Sequence, residues 1–590
     1  MDKQDILKSI EEKDYKKAKE QINLFLESND IDVEIQKLLG LCNINLGLNK
    51  EAEENFEAVI AENNDDALSY YYLATIKLEK EEYDKAELLL KRVIELRKDY
   101  LDAYKSIAIA YIKQKKYQEV FDLEDKMLQI APDDAQIYDI ISAAALESGD
   151  IEYTVEKLQK AIDIMPDNAR YYNKMGLAYF TKHEIDKAMS FYKKALELDE
   201  NDSSTLYNIG IAYFAIEDFD NSYNVLKRCC SIEKKLSYQT AFAISALKAK
   251  KFQDAVDAYN EIIKIEPNKE NYRYNLACAY EGLGDLDKAV KIIEKLLTFN
   301  LSSVQLKLHL ASLYTRLNKI EPAKILYSNL ITSGISNVEI LYEYAVLCAK
   351  TNDTDKAEEI LKKIIVMKPD FALAYKDLGI IYLSRRFFDK ASEYFKKAYK
   401  IQPDNMYIIF EYGNYYHLMA EFNNAKKMYN KLFKLDNLPV YMLVSIAINY
   451  MSMNMPEKAK ELLLKAIAVE PQNIQVLFHL AQVYNFEKNY ENAKKLLEDA
   501  YTLAPNTEIA NLLAQVYYEI GEYSRAYALY NIVNLTIPNN LGILMNLARC
   551  KFAQKEYAAA KEHLETLLKI LPEHEEAIEM LNKIKEEEIK

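Results

Sequence analysis

Apolar residues recur along this chain at helical spacing in short blocks, and the blocks themselves repeat. Within 372–405, Tyr375, Leu378, Gly379 and Tyr382 make one set, and Phe388, Ala391, Phe395 and Ala398 make a second. Steps of three and four residues put each set on one side of a helix. Arg385 and Arg386 interrupt the apolar pattern between the sets. Pro403 stops the second helix, because proline has no amide hydrogen and its ring clashes with the preceding turn. The pattern predicts a hairpin: helix A, a polar turn, helix B.

One small position in helix B carries the register through the whole chain. Ala18, Ala52 and Ala86 are 34 residues apart, and Val120, Thr154, Ala188 and Ser222 continue the step. A 33-residue step reaches Ala255. Ala289, Ala323, Ala357, Ala391, Ala425, Ala459 and Ala493 follow at 34, a second 33-residue step gives Ala526, and Ala560 closes the series. A period of this length is the mark of a repeat architecture, not of several unrelated domains. Helix A has its own small position, filled by Gly40, Gly176, Gly210, Gly379 and Gly413 and elsewhere mostly by Ala. A small side chain there lets the paired helices close to roughly 8–10 Å between axes. Tyr179, Tyr213, Tyr382, Tyr416 and Tyr450 are among the aromatics three residues further on. Gly47, Gly149, Gly284 and Gly521 fall in the A-to-B turns, and Pro132, Pro369, Pro471 and Pro572 are among the prolines at the ends of B helices.

With its small residue in helix A, Ala in helix B and Pro at the exit, the chain resembles the tetratricopeptide repeat over residues 1–574. The signature Trp is absent; Tyr104, Tyr138, Tyr172 and Tyr375 are among the residues in its place. The resemblance implies an all-α, right-handed solenoid of about sixteen full helical hairpins. Residues 1–32 read as a partial first unit, 33–235 and 236–574 as one continuing run of units, and 575–590 as a C-terminal capping helix. Candidate bends lie at 227–240 and 297–304, which lack the exit Pro. The family implies a concave groove lined by A helices, and hence a non-catalytic scaffold or adaptor for partner proteins or extended peptide segments. The rivals are a permanent subunit of a large assembly, or an arm associated with an enzyme, such as a glycosyltransferase, on another chain.

Composition narrows the partner class. A net charge of −16 disfavours nucleic acid, whose phosphates attract Lys and Arg. No apolar run is long enough for a membrane span, and the start, MDKQDILKSIEEKDYKKAKE, has no apolar core of signal-peptide length. Six scattered cysteines without C-x-x-C spacing fit a reduced, cytoplasmic protein. Catalytic, cofactor and metal signatures are not found: His183-Glu184 begins like H-E-x-x-H, but Lys187 stands at the second His position. Cys229-Cys230 reads as a small core residue beside an incidental thiol. The Lys/Asn clamp by which some relatives hold acidic C-termini is missing around Asn208 and Asn275, and the Asn ladder of the O-linked N-acetylglucosamine transferases is broken. Homo-oligomers through the end units stay open.

The groove-facing position, one residue before the A-helix apolar core position, holds His309, Glu343, Asp377, Glu411, Ser445 and His479 in successive units. Three consecutive acids at about 10 Å spacing repel by only about 0.4 kcal/mol per pair in water. Tyr342, Tyr407, Phe410, Tyr441 and Phe478 are expected as exposed aromatics beside them, with Lys376, Asn414 and His417 on the same surface. Acids next to aromatics suit an extended segment carrying Lys or Arg, through charge and cation–π contact. The alternative is a solvated acidic face on an acidic protein.

Overall fold

A computed structural model describes residues 3–27, 31–435 and 437–589. Residues 1, 2 and 28–30 of the expected first unit, and Lys590 of the expected cap, lie outside them. Among the described residues the chain forms 35 α-helices and no strand. They alternate as A and B members of hairpins, from Lys3–Glu11 with Tyr15–Leu26 to Leu541–Ala553 with Tyr557–Ile570, followed by Glu575–Ile589. The first A helix has 9 described residues where later ones have 13 or 14. The helices fall into two compact units, Met1–Leu313 and Tyr314–Lys590. No helix among the described residues is long and apolar enough to cross a membrane.

The register residues of helix B are completely enclosed. From Ala18 to Ala560 every one is fully buried, including Val120, Thr154 and Ser222. The polar members are satisfied locally: Thr154 Oγ1 donates to Asp150 O at 2.7 Å, and Ser222 Oγ to Gly210 O at 2.8 Å. The small A-helix position faces the B residue sixteen places later. A Cβ built on Gly379 would lie 2.8 Å from Phe395 Cε1, and one on Gly413 would lie 2.5 Å from Tyr429 Cε1. Where helix A carries Ala, as at Ala345 and Ala481, the facing residue is often a leucine, here Leu361 and Leu497. At Glu124 an acid takes this facing position, paired with Lys157 at 2.8 Å. Burial pulls the Lys157 ammonium down, but the Glu124 carboxylate beside it holds its pKa above the ordinary lysine value.

Each hairpin turns on one left-handed residue. Positive φ recurs at Lys13, Gly47, Glu81 and Lys115, and so on through Ala420 and Asn454 to Lys555. Glycine fills four of these turns (47, 149, 284, 521) and Asn three (318, 352, 454); Lys, Glu, His, Arg or Ala fill the rest. A side chain is disfavoured there because its Cβ crowds the next carbonyl. At Gly47 a Cβ would meet nothing within 4 Å, so the conformation alone sets the preference for glycine.

At 227–240 the helices Phe219–Ile232 and Leu236–Lys248 pack on one another. The 233–235 connection is short, yet Ser222 Oγ reaches Ser245 Oγ at 2.8 Å across the junction. Cys229 is fully buried, with its thiol 3.2 Å from Ser203 O, and burial pushes its pKa up to about 12. At the other joint, Leu286–Phe299 and Val304–Arg316 are separated by residues 300–303, the same four-residue length that links Tyr83–Leu96 to Leu101–Lys113. At the C-terminus Glu575–Ile589 sets Ala577 and Ile584 in one core with Leu564 and Leu567.

Two substitutions test these packing rules. Gly379→Ala should destabilise its hairpin by about 1–3 kcal/mol, and Phe395→Leu in the same chain should restore much of the loss, a coupling read from a double-mutant cycle. Ala420→Gly should stabilise its hairpin by about 0.5–1 kcal/mol by relieving the left-handed strain. Because a solenoid opens hairpin by hairpin, amide exchange in Met406–Leu418 and Phe422–Leu432 is the measurement that checks it.

Candidate functional site

Five consecutive A helices of the second unit carry the expected surface: Val338–Lys350, Ala372–Ser384, Met406–Leu418, Val440–Ser452 and Ile474–Phe486. The third starts sharply because the Asn405 side chain accepts from the Tyr407 amide at 3.1 Å, satisfying one of the free N–H groups of the first turn. His309, the first member of the expected row, belongs to the first unit and bonds Glu281 at 2.7 Å through Nε2.

The acids are not three equivalent free charges. Glu343 is exposed. Asp377 is half-buried and takes its neighbour Lys376 in an ion pair at 2.7 Å. The Tyr342 hydroxyl lies against Asp377, and burial first, then that carboxylate, pushes its pKa well above the ordinary tyrosine value. Glu411 is half-buried. Burial raises its carboxyl pKa; Lys376 opposes the shift and Asp377 adds to it. Lys376, Asp377, Glu411 and Tyr342 therefore form one polar cluster reaching across three helices, with Lys376 as its internal counter-charge.

The aromatics divide. Tyr407 and Tyr441 are exposed, at 42% and 57%. Tyr342 and Phe478 are half-buried; Tyr342 meets Phe371 edge-on at 5.1 Å and Phe478 meets His479 at 5.3 Å. Phe410 departs from the expectation of an exposed ring. It is only 6% exposed, because the Tyr441 ring on the next A helix lies across it edge-on at 6.1 Å.

The remaining polar residues are engaged. Asn414 Oδ1 accepts from the Tyr429 hydroxyl at 3.0 Å and from Asn449 Nδ2 at 3.1 Å. That ties two A helices to a fully buried B-helix ring. His417 Nε2 meets Ser452 Oγ at 2.6 Å, and His479 Nδ1 meets Gln482 Oε1 at 2.8 Å. Burial lowers the pKa of both, so they are neutral imidazoles at neutral pH.

Beside this surface lies a cavity that the repeat pattern does not announce, about 750 Å³ in volume. It exists because the B helix Phe422–Leu432 has 11 residues, where Phe388–Ile401 before it and Pro456–Val469 after it have 14. Phe433, Leu438, Leu443, Val444 and Val469 wall it, and Tyr441, Ser445 and Ile448 bring the A-helix stripe to its edge. The register places an exit proline at 437, between Pro403 and Pro471, but Asn437 stands there and proline comes at 439. That displacement is the signal in the sequence.

Family models described as tetratricopeptide repeat match residues 169–202, 203–236, 246–301, 338–371, 372–405 and 450–515, and a TPR repeat model matches 144–183. A model described as anaphase-promoting complex, cyclosome, subunit 3 matches 486–567. No curated protein sequence matches the chain. Among solved structures, the Cut9–Hcn1 hetero-tetramer of the anaphase-promoting complex is 17% identical, covering 83% of this chain and 96% of that one, with a TM-score of 0.38. Naa15/Naa10 bound to HypK is 14% identical over 94% and 96%, with a TM-score of 0.29. PilF of Pseudomonas aeruginosa is 22% identical over 36% and 97%, with a TM-score of 0.32.

The Glu411 environment has a measurable consequence. Its folded pKa stands above its unfolded one, so the folded chain is penalised at pH values above the folded pKa and relieved as pH falls toward the ordinary glutamate value. Glu411→Gln should therefore raise the thermal midpoint at pH 7, and the gain should vanish below about pH 4. Melts of the two proteins across pH provide the check.

Proposed function

Because the chain belongs to the tetratricopeptide repeat proteins, we propose that it is a non-catalytic scaffold or adaptor that holds an extended, basic segment of a partner protein on the A-helix stripe of its second unit. The observation that carries this reading is the exposure of Tyr407 and Tyr441 beside Glu411, whose carboxylate clusters with Asp377. Exposed rings present a negative face to Lys and Arg, and nearby carboxylates add directional charge. Lys376 occupies part of the negative field in the free protein, and an incoming cation competes with it for Asp377.

A second reading has one observation in its favour. The match of residues 486–567 to an assembly-subunit model fits a permanent subunit that buries this surface once and keeps it buried. The two readings differ in exchange. An adaptor releases its partner on dilution, while a subunit co-purifies at fixed stoichiometry.

Glu343→Gln, Asp377→Asn and Glu411→Gln combined should weaken partner capture by about tenfold at low salt. The variant should also flatten the salt dependence, since exposed charge contacts are screened. Capture from lysate at two salt concentrations, followed by mass spectrometry, measures both. Unchanged capture with unchanged salt dependence would falsify this assignment of the groove.

A further inference from the structure

We infer that the cavity left by the shortened B helix is an anchor pocket: it takes a large apolar side chain of the partner segment, with a Lys or Arg of the same segment lying toward Glu411. This rests on the scaffold reading above and adds what that surface selects.

Three features of the site converge. The first is size and lining. About 750 Å³ exceeds one side chain and admits its flanking backbone, and Phe433, Leu438, Leu443 and Val444 offer apolar walls. The second is continuity with the charged surface. Tyr441 forms part of the cavity wall, covers Phe410, and stands close enough to Glu411 for that carboxylate to raise its phenol pKa, after burial and the Tyr407 ring. The third is charge. Lys465 in the lining is held by Glu461 at 3.0 Å and spread over the Phe433 ring at 5.2 Å, so its charge is matched within its own helix. Glu470 at the lip accepts a hydrogen bond from Asn473 at 2.6 Å and makes no ion pair among the described residues. An apolar pocket flanked by Glu411 and Glu470 fits an apolar residue with a basic one near it, and it disfavours an acidic segment.

The wall also bears on competing occupants. The cavity opens at a break within one hairpin stack, with Val469 67% exposed and Ile448 41% exposed at its rim. A rim of four apolar side chains, these two with Leu435 and Tyr441, gives an anchor site. It lacks the broad apolar area that a stable interface between two copies of the chain requires.

The test uses the full chain and a displayed library of random twelve-residue peptides as probe. Selected peptides should be enriched in Leu, Ile, Phe or Trp together with Arg or Lys. Val469→Trp and Ile448→Trp fill the mouth from exposed positions and should leave the helical circular dichroism unchanged. Each should weaken the selected peptides at least tenfold. Wild-type affinity in both cavity variants overturns the anchor pocket. If the acid triple variant then loses the same peptides, the scaffold reading stands without it; if neither set of variants matters, both fall. Concentration-dependent dimers of the wild type that Val469→Trp dissolves would identify a second copy as the occupant and likewise overturn the proposal.

Discussion

A close approach recurs between the small residue of helix A and the bulky residue sixteen places later on helix B. Gly379 and Gly413 leave no room for a Cβ against Phe395 and Tyr429. Helices with no space between them must keep one registry, because packed interiors tolerate neither voids nor overlaps. Everything else in a hairpin follows from that contact. The fully buried Ala series is the neighbouring face of the same helix B, and the turn must be short enough to return the chain to it. The A-helix stripe remains to face outward, available for other work. At Glu124 the facing position holds an acid instead, and its counter-ion, Lys157, comes from the next B helix.

The fold was legible because this contact writes itself into sequence as a period. Ala at one place, Gly or Ala at another, and proline at the exit each have a single mechanical reason, and each recurs. The turns were less legible. Gly47 and Gly149 announce a left-handed residue, but Lys13, Glu81 and Arg386 occupy the same conformation with no compositional mark. A backbone forced by the two helices on either side overrides the local preference of the residue between them.

The candidate surface was legible as a list of residues and less so as a chemical state. The row Glu343, Asp377, Glu411 can be read from helical register, but the pairing of Asp377 with Lys376 depends on how one long side chain folds back. Likewise Phe410 and Tyr441 belong to equivalent neighbouring helices, and only their packing shows that one covers the other. The cavity beside them rests on a helix that ends early, and the mark in the sequence is the two-residue displacement of Pro439. Departures from a repeat carry more information about function than the repeat does, because the repeat is spent on holding the stack together.

The thiols give this stack a set of internal reporters. Cys42, Cys229, Cys348 and Cys550 sit fully buried in four well-separated hairpins, and burial pushes the first two and the last up to about 11, 12 and 12. A thiol both enclosed and protonated does not react with an alkylating reagent. In a chain whose hairpins open separately, labelling at each cysteine follows the opening of its own hairpin, so one modification time course resolves the breathing of the solenoid at four points along its length.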